Sequence, residues 1–330
     1  MARDSFATPG AWRSITLEIP VPAAVEPVLA AAVAHLHHVG LLHVAVAVAL
    51  ALLVRALLQR SVPRVVLNFN DDAEEKDVIE GRAKLDVRKV SPKDAPPGYI
   101  RCWDPCTMQD LGTVKAFSKT DVLDAVARAK AAQAKWKTSS YAQRRHLLQV
   151  ISRCITENMD AVTRVACRDS GKARVDAYMG EVLTTLEKIR WLCSQGERYL
   201  VPEYRESGLL NLHKTSRVEF HPVGVVGAIV PWNYPLHNVF NPLLAAVFAG
   251  NGIVIKTSEY ASWSTQFFGR MIQACLAAAG APEDLALIVT GYGDAGHALV
   301  TGLIVCISCC LVIIIFLINI YVYMNVSLIS

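Results

Sequence analysis

Apolar residues crowd into two long runs near the ends of the chain and recur with structured spacing between them. The first run is continuous from Val39 to Val54 apart from His43, and Val28 to Leu58 is apolar with few interruptions. A bilayer core needs about 20 such residues in a helix. A cleavable leader would begin nearer the terminus with basic residues and end in small ones. Here Arg55, Arg60 and Arg64 follow instead. The run, about 35–58, therefore reads as a retained membrane anchor with the large domain on the cytosolic side, as expected at an endomembrane. A buried Ala/Val/Leu helix is the alternative. The second run, Leu303 to Ile329, is broken only by Ser308, Asn319, Asn325 and Ser327. It too is long enough to span a bilayer, and Asn325-Val326-Ser327 is a glycosylation sequon.

Between these runs the period changes twice. Residues 68–97 are polar, with acids from Asp71 to Glu75 and prolines after them, and read as a linker or arm. Helical spacing begins near Lys119. Ser118 or Thr120 can cap a helix carrying Val122, Val126 and Ala129, and Ser139 or Ser140 a second with Leu147, Ile151 and Ile155. A third helix covers about 160–168 and closes at Ser170-Gly171-Lys172; a fourth runs from Val175 to about Leu200. Val223 to Val230 is then a continuous apolar run, the pattern of a strand covered on both faces. A helix starting at Asn241-Pro242 and ending at Gly250 follows. Next come a strand from Gly252 to Ile255, a helix from Ser262 to Ala279 and a strand from Ala286 to Thr290. Three strands alternating with helices predict an α/β fold: a partial Rossmann-type parallel sheet with an amino-terminal helical layer, plus one or two transmembrane helices. The expected domains are 1–67 with the anchor, 68–302, and the apolar tail 303–330.

Composition sharpens this picture only a little. Of 330 residues, 53% are hydrophobic and 19% charged, an excess of apolar character that the two end runs account for. The net charge of +4 is spread without a basic block, which argues against nucleic acid as a partner. The nine cysteines form no paired CxxC framework, so a structural zinc site is not expected. His35 and His38 share a helix face, but no carboxylate or cysteine stands nearby to complete a metal site, and interfacial histidines are the plainer reading.

Pro231-Trp232-Asn233-Tyr234-Pro235, directly after the first buried strand, is the most specific segment. It resembles the P-W-N-[FY]-P signature of the aldehyde dehydrogenase superfamily. Ile255-Lys256-Thr257-Ser258-Glu259 resembles that family's K-P-S/A-E element. Asp169-Ser170-Gly171-Lys172 with Gly180-Glu181 resembles its helical region, and Cys102 to Gly112 its first strand and turn. With an apolar amino-terminal run ahead of these motifs, the chain looks most like the membrane-anchored plant family-22 members. The resemblance implies NAD(P)-dependent oxidation of an aldehyde to a carboxylic acid. It assigns Asn233 as a donor to the oxyanion, Val230, Pro231 and Trp232 to the cofactor cleft, and Lys256 and Glu259 to the adenosine ribose. A carboxylate at Glu259 accepts from a 2′-hydroxyl and repels a 2′-phosphate, favouring NAD over NADP. Asn beside Pro also caps turns, which is the plainer role for Asn233.

Gly291-Tyr292-Gly293-Asp294-Ala295-Gly296 spells G-x-G-x-x-G after a strand, but no acidic residue stands about 20 positions on, where the fingerprint needs one. Only Gly291 is carried over, by resemblance, as lining the cofactor cleft. The family continues with a strand ending F-T/V-G-S, then E-L-G-G-K with the general base and G-Q-x-C with the nucleophile. The 330 residues contain none of these. The chain therefore reads as carboxyl-terminally truncated after Gly302, by readthrough or an alternative transcript, and inactive alone. It would act on an aldehyde only in a longer form, as a homo-oligomer or by pairing with full-length subunits. The alternative is a non-catalytic membrane-bound binder or decoy.

Overall fold

The computed structural model describes residues 46, 48–53, 62–65, 91–207, 209, 213–303, 305–308 and 324–329. The chain divides into two units, 1–61 and 62–330, earlier than the 67/68 boundary read from the sequence. In the first, residue 46 and residues 48–53 are helical, and Val46, Val48, Leu50, Leu52 and Leu53 are all exposed. The rest of the expected anchor lies outside the described residues, as do His35 and His38. Among the described residues no helix is long and apolar enough to cross a membrane.

The second unit opens with an antiparallel hairpin, β1 (Tyr99–Trp103) and β2 (Asp110–Lys115). Helix α1 (Lys119–Trp136) follows, capped by Ser118 in a reciprocal box with Asp121; α2 (Tyr141–Glu157) is capped by Ser140 with Gln143. Helix α3 (Met159–Ser170) stops at Gly171, whose φ of 73° is the left-handed conformation that ends helices. The expected fourth helix, α4, is interrupted. It runs Arg174–Ala177, passes through a π-helical turn Tyr178–Leu183 and resumes as Thr184–Gln195. Two short antiparallel strands that no apolar alternation announced, β3 (Glu203–Arg205) and β4 (Ser216–Pro222), precede the main sheet.

That sheet contains β5 (Val225–Val230), β6 (Gly252–Thr257), β7 (Ala286–Val289) and β8 (Val305–Ser308), all parallel, in the order β7-β6-β5-β8. Helices α5 (Pro235–Phe248), α6 (Ser262–Ala278) and α7 (Gly293–Gly302) connect them. Alternate β5 residues explain the unbroken apolar run. Val226, Ala228 and Val230 join the core under α2, α5 and α6, whereas Val225 joins a second core under α1 and α7. Helix α5 begins at Pro235 rather than at Asn241-Pro242. Proline suits the first turn, and Pro242 stands inside the helix, buried.

The tail departs from the expectation of a second membrane span. Its described residues are strands, not part of a transmembrane helix: β8 becomes the fourth strand of the parallel sheet, and β9 (Met324–Ile329) pairs antiparallel with β4 from Arg217 to Pro222. A short apolar run of β-branched residues suits a doubly covered strand as well as a bilayer, so hydropathy alone does not separate the two.

Candidate functional site

In an open parallel sheet, ligands bind beyond the carboxyl ends of the strands, where the strand order reverses. Numbered by sequence within the sheet, the order is third-second-first-fourth, so that reversal lies between β5 and β8. Val230, buried, is the last residue of β5, and Pro231-Trp232-Asn233 leaves the sheet at this point.

Asn233 is held at two atoms, and the Pro231 carbonyl beside it at a third. Asn238, one turn into α5, donates from Nδ2 to Asn233 Oδ1 at 3.1 Å and to the Pro231 carbonyl at 3.2 Å. The backbone carbonyl of Asn233 accepts from Lys172 Nζ at 2.6 Å. With its oxygen engaged, the Asn233 amide presents its N–H groups as the free end, the polarity an oxyanion donor requires.

The same ammonium donates to Glu181 Oε1 at 2.6 Å and lies 4.0 Å from the centre of the Tyr234 ring. Glu181 sits in the π-helical turn with no solvent exposure, and its other oxygen accepts the backbone N–H of Leu236 at 2.6 Å and of His237 at 3.4 Å. Burial pushes the Glu181 carboxyl above its ordinary range, against the opposing pull of Lys172 and the two amides. His237, whose Nδ1 lies 3.2 Å from Thr184 Oγ1 and 3.3 Å from Thr185 Oγ1, is pushed down to about 4 by burial and by Lys188 and Lys172. Neither Lys172 nor Glu181 carries a site role in the sequence reading. Two short motifs far apart in sequence gave no sign that they meet.

Lys256 lies near the end of β6, nearly buried, with Nζ 3.6 Å from Glu259 Oε2. Glu259 opens a short 3-10 turn after Ser258, which accepts the Tyr260 N–H. A cavity of about 420 Å³ is lined by Trp232 and Glu259 together with Arg101, Trp103, Asp169 and Tyr260. Arg101 and Trp103, from the first hairpin, were not foreseen as neighbours of this edge. Asp169 is pushed up to about 6, chiefly by burial with a contribution from Asp104, although the Ser264 backbone N–H donates to it at 2.9 Å. Gly291 lies at the carboxyl end of β7 with φ +151°, and a Cβ there would fall 2.7 Å from the Ala295 Cβ. It is buried against the β2–α1 connection rather than lining this cavity, while Tyr292 ties down the preceding arm by donating to the Pro92 carbonyl at 2.8 Å. Among the described residues no group of three or more His, Cys, Asp or Glu side chains is placed to hold a metal ion.

Comparison with known proteins agrees with this arrangement. The aldehyde dehydrogenase family matches residues 92–306, ending inside β8 rather than at Gly302. An aldehyde dehydrogenase-like protein of Schizosaccharomyces pombe is 41% identical over 195 residues, 59% of this chain and 37% of its own length. Another, of Saccharomyces cerevisiae, is 39% identical over 209 residues, 62% of this chain and 32% of its own length. The chain thus spans well under half the length of these relatives. A Mycobacterium tuberculosis aldehyde dehydrogenase complexed with NAD+ superposes with a TM-score of 0.56 at 26% identity, covering 62% of this chain and 41% of that one. With the sheet order, the Asn233 turn and a family match over most of its length in agreement, this chain belongs to the aldehyde dehydrogenase family.

Proposed function

We propose that residues 92–306 provide the dinucleotide-binding edge and the oxyanion donor for NAD-dependent oxidation of an aldehyde to a carboxylic acid. The observation that carries this reading is the convergence of Asn233, Trp232, Lys256 and Glu259 at the carboxyl edge of β5 and β6. The donor set fits a dinucleotide. Lys256 and Glu259 lie 3.6 Å apart at the end of β6, where the ammonium can donate to ribose hydroxyls and the carboxylate can accept from them. Bound NAD supplies the hydride acceptor. Asn233 donates from Nδ2 to the oxygen on which charge develops, and as an amide it does so without titrating. Pro231 and the exposed Trp232 would form the wall against which the cofactor lies, at the point where β5 ends in Val230.

The nucleophile and general base that the resemblance implies belong to motifs these 330 residues do not contain, so this sequence alone is inactive and turnover belongs to a longer subunit. Exposed Tyr204 and Leu209, on and after β3, support a surface for pairing with such a subunit or a second copy. The exposed apolar helical residues from Val46 to Leu53 support attachment to an endomembrane in the manner of the plant family-22 members, with residues 62–330 in the cytosol. The test is a paired titration of the chain with NAD and NADP, followed by absorbance at the NADH band after aldehyde is added. NAD is expected to bind more tightly, with the preference relaxed by Glu259→Gln, and no NADH is expected. Tighter NADP binding, or NADH formation abolished by Asn233→Ala, contradicts the reading.

A further inference from the structure

The turn that carries Asn233 lies after the last residue of β5 and before the first of α5, so neither ladder nor helix fixes its backbone. Tyr234, at the N-cap of α5, gives the helix no side-chain cap, which leaves its first N–H groups in need of acceptors. We infer that Lys172 and Glu181 are positioning residues for the Asn233 donor, with the π-helical turn of α4 delivering the Glu181 carboxylate to the start of α5. This inference rests on the functional reading of Asn233 given above.

Three observations converge on it. Glu181 caps α5 from 55 residues away, binding the Leu236 amide at 2.6 Å and the His237 amide at 3.4 Å, where a negative group also meets the positive end of the helix. One Lys172 ammonium joins that carboxylate to the Asn233 carbonyl, at 2.6 Å to each, so turn and helix share a single anchor. Gly180, beside Glu181, lets the Tyr234 ring approach, since a Cβ there would lie 2.7 Å from Tyr234 Cε1. A π-helical turn admits an extra residue per turn and recurs at functional sites. Energetics favour positioning over simple stabilisation. Glu181 has no exposed surface and the Lys172 side chain little, and a buried ion pair gains little over apolar residues of the same volume. What such residues cannot do is hold a carbonyl and two amides in fixed relation.

The experiment uses the full chain in detergent micelles with ¹⁵N-labelled asparagine, the Asn233 side-chain signal being assigned by its loss in Asn233→Asp. Hydrogen exchange is read at Leu236 and, as a fold reference, at Ile253 to Ile255 of β6. Glu181→Ala is expected to speed exchange at Leu236 about tenfold or more and to shift the Asn233 side-chain signal, with β6 unchanged. Glu181→Gln, which keeps an acceptor oxygen, is expected to restore protection at Leu236. Lys172→Met is expected to shift the Asn233 signal without exposing Leu236. An Asn233 signal that stays in its native position in Glu181→Ala and Lys172→Met overturns the inference, as does failure of Glu181→Gln to protect Leu236. If Glu181→Ala does not fold, Glu181→Gln and Lys172→Met decide. Neither nucleotide nor aldehyde is present, so the result stands apart from whether the chain binds NAD.

Discussion

Asn238 donates from Nδ2 to Asn233 Oδ1 at 3.1 Å, and this single bond sets which end of the Asn233 amide faces outward. Both residues belong to the segment leaving β5, so the donor is oriented locally by the first turn of α5. Asn238→Leu should leave the fold nearly intact, costing about 1–2 kcal/mol in urea denaturation, the scale of the two partly exposed hydrogen bonds it removes. A crystal structure of that variant should show the Asn233 side chain rotated or in two orientations. A native Asn233 rotamer would show that something other than Asn238 orients it.

Arg144 ties α2 to the α1–α2 connection and to the end of α5. Nearly buried, it donates to the Phe248 carbonyl at 3.1 Å, the Lys137 carbonyl at 3.2 Å and Ser139 Oγ at 3.0 Å. Arg144→Met leaves these acceptors without their charged donor and should destabilise by about 2–4 kcal/mol. Gly250→Ala acts on the same place, because a Cβ at φ +85° would lie 2.7 Å from Arg144 Nη2. Equilibrium urea unfolding of both variants is the check. A loss below about 0.5 kcal/mol in either, the scale of an ordinary surface change, would show that the guanidinium is not a structural lock.

Asp169 gives a pH dependence of defined sign. Its carboxyl is pushed from the usual 3.8 up to about 6 by burial, so folding favours the protonated acid. Its contribution is therefore neutral below about pH 4 and grows more destabilising as pH rises to about 6, where it is complete, on the order of 3 kcal/mol. His237 runs the other way: held down to about 4, it destabilises as pH falls from 6.5. The difference between Asp169→Asn and the native chain cancels the histidine. That difference should move in favour of the variant between pH 4 and 6 and be flat above. A pH-independent difference would show that Asp169 stays ionised in the folded chain.

The tail offers a stability test. Without residues 303–330, β5 loses β8 from Val226 to Ile229 and β4 loses β9 from Arg217 to Pro222, each becoming an edge strand, and exposed edges recruit other chains. A chain ending at Gly302 should elute from size exclusion as higher-order species where the 330-residue chain in the same detergent does not. Identical elution with equal thermal stability would show that β8 and β9 close nothing.

Much of this was legible in the sequence for identifiable reasons. Val223 to Val230 announced the doubly covered strand found at Val225–Val230 because both faces are apolar, and of the two cap candidates read for each helix Ser118 and Ser140 are the ones that cap. The positions of Asn233, Lys256 and Glu259 at strand ends were legible because each lies within a few residues of an apolar strand, whereas their roles come from the resemblance of the motifs that contain them. Lys172 and Glu181 were not. Their partners lie 61 and 55 residues away, and no local pattern encodes such a contact. The π-helical turn escaped because its apolar positions keep helical spacing. Strand β8 escaped because Val305 to Ser308 sits within a run long enough to be read as a membrane span.

Isothermal titration of the 330-residue chain with NAD, repeated with Lys256→Met, tests the cofactor edge most directly. Saturable binding at one site per chain is expected, weakened about tenfold or more by Lys256→Met, the scale of one charge-assisted hydrogen bond. Absence of binding at millimolar NAD in a folded chain, or binding that Lys256→Met leaves unchanged, would contradict the assignment of this edge.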